Sequence, residues 1–238
     1  MTPKIKHERC KTTRTQSAQK QHIPLSLLES LEIIYYLSQE EFPVTFDSIV
    51  KKLGLNKDLV TEKIFGLQGI GFLESGTVEK ISLTQEGKKA AIALIRKHRL
   101  LERFLTDTLK LSWENVHEEA FRLAPVISDI VCEHLAKFLK NPSTCPHGNP
   151  IPSASGIFHT KTAIPLHKLG IGKKGVILRI EKEEQQTLKY LASLGLLPDT
   201  KVEIEEVAPF GGPLIVRIGS SRYAIGRKVA AKIFVKEG

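Results

Sequence analysis

His98 and Glu102 stand four residues apart inside a helical pattern, and His117 follows on the next one. A spacing of four places two side chains on one face of a helix, about one turn apart. His117 lies in the run Ser112-Trp113-Glu114-Asn115-Val116-His117-Glu118-Glu119-Ala120, which reads as a fresh helix capped at Ser112. If the two helices pack, two imidazoles and a carboxylate converge. That donor set suits a divalent transition metal such as Fe, Mn, Co, Ni or Zn. Two surface histidines and a solvated Glu would show the same spacing, so the elements that carry the triplet must decide.

The 238 residues allow one large domain or two to three small ones, and 41% hydrophobic residues suffice for packed cores. No apolar run approaches the roughly 20 residues of a membrane span. Basic and polar residues persist to Gln21, with no signal-peptide core. Cys10, Cys132 and Cys145 are odd in number and lack zinc-finger spacing, which fits a reducing cytoplasm. The formal charge of +9 is unevenly placed. Residues 1–24 carry six Lys/Arg against one acid, residues 25–159 fifteen against seventeen, and residues 160–238 fourteen against eight. A tail and the last third are therefore basic, which suits a polyanion partner.

The basic, Thr/Gln/Ser-rich segment 1–24 reads as a disordered tail. From Pro24 a helical stripe runs through Leu27, Leu31, Ile34 and Leu37. Thr45 caps a second helix that ends at Gly54, and Asn56 caps a third. Helix, glycine turn, helix is a helix-turn-helix. Gly69–Glu74 and Val78–Leu83 read as two short strands around a Ser75-Gly76 turn, which makes residues 25–84 a winged helix-turn-helix domain. Thr84 then caps a long helix running past Leu109, and helices follow from Ser112 and Ser128. Leu101, Phe104 and Leu105 on that long helix predict a subunit interface within residues 85–140. The whole segment 85–152 is a helical metal-binding and dimerisation domain. Cys145 and His147 lie in a Pro/Gly-dense loop that reads as a plain structural turn, although both residue types can bind metal. Residues 153–163 read as a linker. Residues 164–238 alternate apolar strands with Gly/Pro turns, with one helix at Thr187–Leu194, as in a small SH3-like β-barrel. The fold class is α+β.

Three ordered blocks are recognisable: Lys97-His98-Arg99-Leu100-Leu101-Glu102-Arg103-Phe104-Leu105-Thr106-Asp107, Val116-His117-Glu118-Glu119-Ala120 and His147-Gly148-Asn149-Pro150-Ile151-Pro152. Over residues 25–238 the chain resembles the iron-dependent repressors, the diphtheria toxin repressor family. Leu194-Gly195-Leu196-Leu197-Pro198-Asp199 and Ala208-Pro209-Phe210-Gly211-Gly212-Pro213 resemble the FeoA-type SH3-like domain. The resemblance implies a homodimeric, metal-activated repressor of iron or manganese uptake genes that binds double-stranded operator DNA. Iron or manganese is the implied cofactor, with Zn, Co or Ni binding in vitro.

The resemblance also implies two metal sites, of which this chain keeps one. His98, Glu102 and His117 match three ligands of the ancillary site. The activating site's positions on the dimerisation helices fall on Phe121, Ala124 and Pro125, which cannot ligate through their side chains. Its first-helix position falls on Glu29, with Glu32 one turn later as in manganese-responsive relatives, and both read as the polar face of that helix. Third-domain ligand positions fall on Arg179 and Lys182, with Glu181, Glu183 or Glu184 as substitutes if the register shifts. Cys132 and His134 read as interface or surface residues.

The third helix is the one expected in the major groove. Its early residues Asn56, Lys57, Asp58, Thr61 and Glu62 are the candidate DNA contacts. Asn56, Lys57 and Thr61 can donate to phosphates or bases, whereas ionised Asp58 and Glu62 can only accept, as from cytosine amino groups. A metal-independent regulator, or a metal-binding interaction module with decayed DNA reading, is the alternative. No nucleophile–base pair, phosphate loop or two-metal carboxylate cluster points to an enzyme.

Overall fold

The computed structural model describes residues 25–40, 43–76, 80–181 and 184–238. The basic tail 1–24, the wing tip 77–79 and the third-domain positions Lys182 and Glu183 lie outside the described residues.

The head is built by α1 (Leu25–Glu40), α2 (Phe46–Leu53) and α3 (Lys57–Gly69). Thr45 and Ser48 exchange side-chain and backbone hydrogen bonds in a capping box, and Gly54 ends α2 in the left-handed region at φ 66°. The Asn56 side chain accepts from the Leu59 N–H and starts α3. Leu31, Ile34, Ile49, Val60 and Leu67 close into one core with Leu73, Ile81 and Leu83. Among the described residues the wing is shorter than the sequence predicts. Gly69 is the last residue of α3, Gly71 turns the chain at φ 76°, and among the described residues only bridges Leu73–Leu83 and Val44–Ile81 remain of two strands. Ile70 and Phe72 pack on the head core instead of extending a ladder.

The long helix α4 (Gln85–Asp107) is shared between head and body. Thr84 caps it by accepting from Gly87 N–H at 3.0 Å. Gly87 is required there, because a Cβ would stand 2.1 Å from the Phe72 carbonyl oxygen. Ala91 belongs to the head core, whereas Leu94, Leu101 and Leu105 pack with Val116, Ala120 and Ala124 of the body. One continuous helix thus ties the reading head to the body. α4 stops at Asp107, short of the predicted Leu109. Its successor α5 (Val116–Leu123) starts later than Ser112, because residues 112–115 form a turn in which Asn115 N–H donates to Ser112 O at 2.9 Å. Ala124 caps α5 and Pro125 follows, which cannot continue a helix. Ser128 caps α6 (Asp129–Phe138) by accepting from Val131 N–H.

Leu101 and Leu105 are buried inside the protomer and are not the subunit face expected for them. Within the helical body the large apolar residues left exposed are Leu109, Leu123, Val126, Ile130, Val131 and Phe138, most of them on or beside α5 and α6.

The barrel contains β1 (Ile164–Pro165), β2 (Lys174–Ile180), α7 (Gln185–Ser193), β3 (Lys201–Val207), β4 (Leu214–Ile218), β5 (Ser221–Ile225), the short α8 (Arg227–Ala230) and β6 (Ile233–Glu237). The six strands run in the order β1-β6-β2-β3-β4-β5, and every pairing is antiparallel. Alternating residues Ile177, Val202, Ile204, Leu214 and Val216 fill its interior with Leu188 and Leu191 of α7. The sequence predicts strands at residues 175–180, 201–207, 214–218 and 223–225, and β1, β6 and α8 lie outside them. Among the described residues no helix is long and apolar enough to cross a membrane.

Candidate metal centre

The α4 helix turns His98 and Glu102 inward, and both are buried. The first turn of α5 brings His117 to them. His98 Nε2 lies 3.2 Å from Glu102 Oε1 and 3.1 Å from His117 Nδ1, and His117 Nδ1 lies 3.1 Å from Glu102 Oε1. These three atoms form a nearly equilateral triangle. Donors about 2.1 Å from a common ion are separated by about 3.0 Å on an octahedron and about 3.4 Å on a tetrahedron. The observed edges fall between those values, so the triangle fits one face of a metal's coordination shell.

A second pair joins the same carboxylate. His147 is fully buried, its Nδ1 is 3.4 Å from Glu102 Oε1, and Cys145 Sγ is 4.0 Å from that nitrogen. His147 Nε2 donates to the Trp113 carbonyl at 2.9 Å, so Nδ1 is the nitrogen turned toward Glu102. Glu102, Cys145 and His147 form a second set of donor atoms within 4.8 Å of one another. The sequence reading of this loop as a plain turn overlooked its part in the cluster. The signal was the Cys-Pro-His order itself, with two donors on one short loop.

Glu32 corrects another expectation. It is buried on α1, not solvated, and Oε1 stands 3.8 Å from His98 Nδ1. Glu29 remains half-buried. Both carboxylates line a cavity of about 290 Å³ with Ser26, Leu94, Phe121, Arg122 and Pro125. Phe121 sets its ring edge-on to the His98 imidazole, with centroids 6.0 Å apart. In the barrel, Arg179 pairs with Glu181 at 3.2 Å and lies over the Phe234 ring. Glu184 pairs with Lys232. Cys132 is buried among Leu100, Ala136 and Ile151 inside the protomer, so it is not an interface residue, and His134 is exposed.

Burial disfavours an imidazolium at His98, but the carboxylates of Glu102 and then Glu32 outweigh it and hold the group up to about 10. Burial likewise opposes the Glu102 charge, and the surrounding imidazoles, His98 foremost, hold it well below the usual carboxylate range. Glu102 Oε2 and His98 Nδ1 are buried without a hydrogen-bond partner. A polar atom left unmatched in this way is costly unless a ligand compensates. A cation at the triangle would compensate the unmatched Glu102 carboxylate, whereas His98 Nδ1 faces Glu32, and the residues present fit a cation.

Metal and proton compete for His98, and this sets a pH signature. The raised imidazole contributes stability fully below its unfolded value near 6.5, and that contribution is lost as pH rises toward 10. Over the same interval, apparent metal affinity is expected to rise by about tenfold per pH unit for each proton displaced. Calorimetric metal titrations at several pH values, paired with metal-free denaturant unfolding, check both slopes.

On α3, Lys57, Asp58 and Glu62 are exposed along the amino-terminal half. Asn56 is occupied as the cap, and the half-buried Thr61 hydroxyl donates to Lys57 O at 2.8 Å. Leu59, which the apolar spacing of this helix places inward with Val60, Ile64 and Leu67, is instead 43% exposed, and Phe65 is exposed as well.

A winged helix-turn-helix head, a helical body with buried His/Glu/Cys donors, and an SH3-like barrel together have the architecture of the metal-dependent transcriptional repressors. Residues 84–153 match the family described as "Iron dependent repressor, metal binding and dimerisation domain", and residues 164–237 match the FeoA domain. The chain is 31% identical over 219 residues to the iron-dependent repressor IdeR of Mycobacterium tuberculosis, covering 87% of this chain and 95% of that protein. It is 34% identical over 137 residues to the diphtheria toxin repressor of Corynebacterium diphtheriae, covering 57% and 61%. A solved manganese-dependent transcriptional repressor in complex with manganese superposes with a TM-score of 0.80 at 31% identity, covering 89% of this chain and all of that one. The chain belongs to the iron-dependent repressor family.

Proposed function

We propose that this protein is a cytoplasmic, dimeric repressor that controls iron or manganese uptake genes and holds its metal at His98, Glu102 and His117. The carrying observation is the triangle of donor atoms with edges of 3.1 to 3.2 Å where α4 meets α5, with His98 and Glu102 buried and His117 half-buried. Cys145 and His147 stand beside it as further donors. A cysteine sulfur and three imidazoles around one carboxylate form a softer set than manganese prefers, which favours Fe(II) and, in vitro, Co or Zn. His98 and Glu102 of α4 and His117 of α5 would hold the cation, with Cys145 and His147 beside them, and its charge would compensate that of Glu102.

The α3 face that carries Lys57, Asp58, Thr61 and Glu62, with Asn56 at its start, is the operator-reading surface of this proposal. Exposed Leu59 and Phe65 add apolar groups suited to thymine methyls. Asp58 and Glu62 repel phosphates at the reading helix, which leaves the basic tail to supply phosphate contacts. The test is a promoter-fragment binding assay across salt. Affinity is expected to fall steeply with salt, and no duplex binding at low salt would overturn the reading.

Phe121, Ala124 and Pro125 offer no side-chain ligands to the neighbouring cavity. Metal there would have Glu29 and Glu32 as its acidic partners, so one metal per protomer is expected. Without the second metal, apolar groups such as Phe121 and Leu94 line the space between α1 and α5. The head is then largely preset, and a ligand shifts an equilibrium only by its differential affinity for the two states. Added Mn or Fe is expected to change operator affinity by less than about tenfold, or about 1.4 kcal/mol of coupling. Footprinting in metal and in chelator measures this, and complete loss of protection in chelator counts against it.

A further inference from the structure

The loop that carries Cys145 and His147 is clamped between the body and the barrel. On the barrel side, Ile180 N–H donates to His147 O at 2.9 Å, and the Asn149 side-chain amide donates to Ile180 O at 2.9 Å. Asn149 is buried, so this is an interior contact. Gly148 between them adopts φ 84°, and a Cβ there would stand 1.9 Å from Leu178 O and 2.8 Å from Arg179 Cα. Only glycine permits both that backbone conformation and that approach. On the body side, Trp113 Nε1 donates to Pro146 O at 3.0 Å, and the Trp113 carbonyl receives His147 Nε2. The Trp113 indole also packs against the barrel core.

Meanwhile Arg179 engages Glu181 and Phe234 within the barrel. The barrel strand therefore touches the metal centre through the backbone of residues 178–180.

We propose that strand β2 of the barrel moulds the metal centre without ligating it: Gly148 and Asn149 are positioning residues that hold His147 and Cys145 against Glu102. This inference rests on the metal reading above. Its consequence is reciprocal. A metal that fixes His147 also fixes the loop to which β2 is bonded, so metal loading and barrel docking strengthen each other by the same factor.

The test uses the full-length protein with Co(II) as the probe, read by its visible absorption and by the near-ultraviolet thiolate-to-cobalt band. Gly148→Ala and Asn149→Ala are expected to weaken cobalt binding by about ten- to a hundredfold, the range for residues that orient ligands. They are also expected to change the cobalt spectrum. Hydrogen exchange at the Ile180 amide is expected to slow when cobalt binds the wild type, and to be unaffected by cobalt in His117→Ala. A purely structural role for the loop would not make exchange at Ile180 depend on metal. Asn149→Ala serves alone if Gly148→Ala fails to fold. Wild-type cobalt affinity and spectrum in the Asn149 variant, or an Ile180 amide indifferent to cobalt, would overturn the inference while leaving the metal reading intact. Failure of the wild type to bind cobalt in a way that His117→Ala alters would overturn both.

Discussion

Glu102→Gln is expected to abolish stoichiometric metal uptake, the largest single-residue effect in this protein. One oxygen of Glu102 lies within 3.4 Å of the ring nitrogens of His98, His117 and His147. Every donor group in the centre is therefore organised around this carboxylate. Glutamine keeps the volume and removes the charge, so packing of α4 is preserved while the anionic ligand is lost. The variant also leaves His98 without its principal counter-charge in a buried place. Removing one partner of a buried ion pair costs about 3–5 kcal/mol, reduced here to the extent that His98 sheds its proton. Calorimetry should show no metal binding by Glu102→Gln, and denaturant unfolding should show a less stable metal-free protein near neutral pH. Unchanged stoichiometry in this variant would place the metal elsewhere.

Ile130→Glu is expected to convert the dimer to monomers and to weaken operator binding severely. Ile130 is 72% exposed and Phe138 is 63% exposed in the isolated protomer. They are eight residues apart on α6 and share a face of that helix, with Val131 beside them. Val126 and Leu123 extend the apolar surface toward α5. Burying one such side chain contributes about 1.5–3 kcal/mol. In a twofold interface each residue occurs twice, so one substitution acts at two places and sets two new charges near each other. A monomer presents one recognition helix instead of two. Loss of the second half-site contact removes an avidity gain of about 10² to 10⁴. Sedimentation equilibrium at micromolar protein and operator titration under one salt condition measure both effects. A dimer that survives Ile130→Glu with unchanged DNA affinity would move the interface off α6.

The local signals were legible because each depends on neighbours in the chain. Thr45, Asn56, Thr84 and Ser128 cap helices as their residue types dictate, and Gly54 ends α2 where its left-handed conformation is needed. His98 and Glu102 share a face because four residues make about one turn. His117 joins them only if the next helix packs on α4, and that packing is a tertiary contact. Ser112 misled because its turn to Asn115 competes with helix initiation until Val116. The short wing was missed because Gly71 redirects the chain and the apolar residues there serve the head core.

Contacts between distant segments were decided only in three dimensions. Leu101 and Leu105 look like an exposed stripe in sequence, yet α5 covers them within the same protomer. Glu32 looks like a solvated helix residue until α4 places His98 opposite it. Cys145 and His147 lie in a Pro/Gly loop whose composition indicates a turn, and a turn it is. Its approach to Glu102 depends on Gly148 fitting against the Leu178 carbonyl, some thirty residues away in the barrel. Residue type and short spacing thus determined what this chain can bind and where its helices begin. Burial against remote segments determined which of those groups meet, because desolvation and close packing are properties of the folded surface and have no period in the sequence.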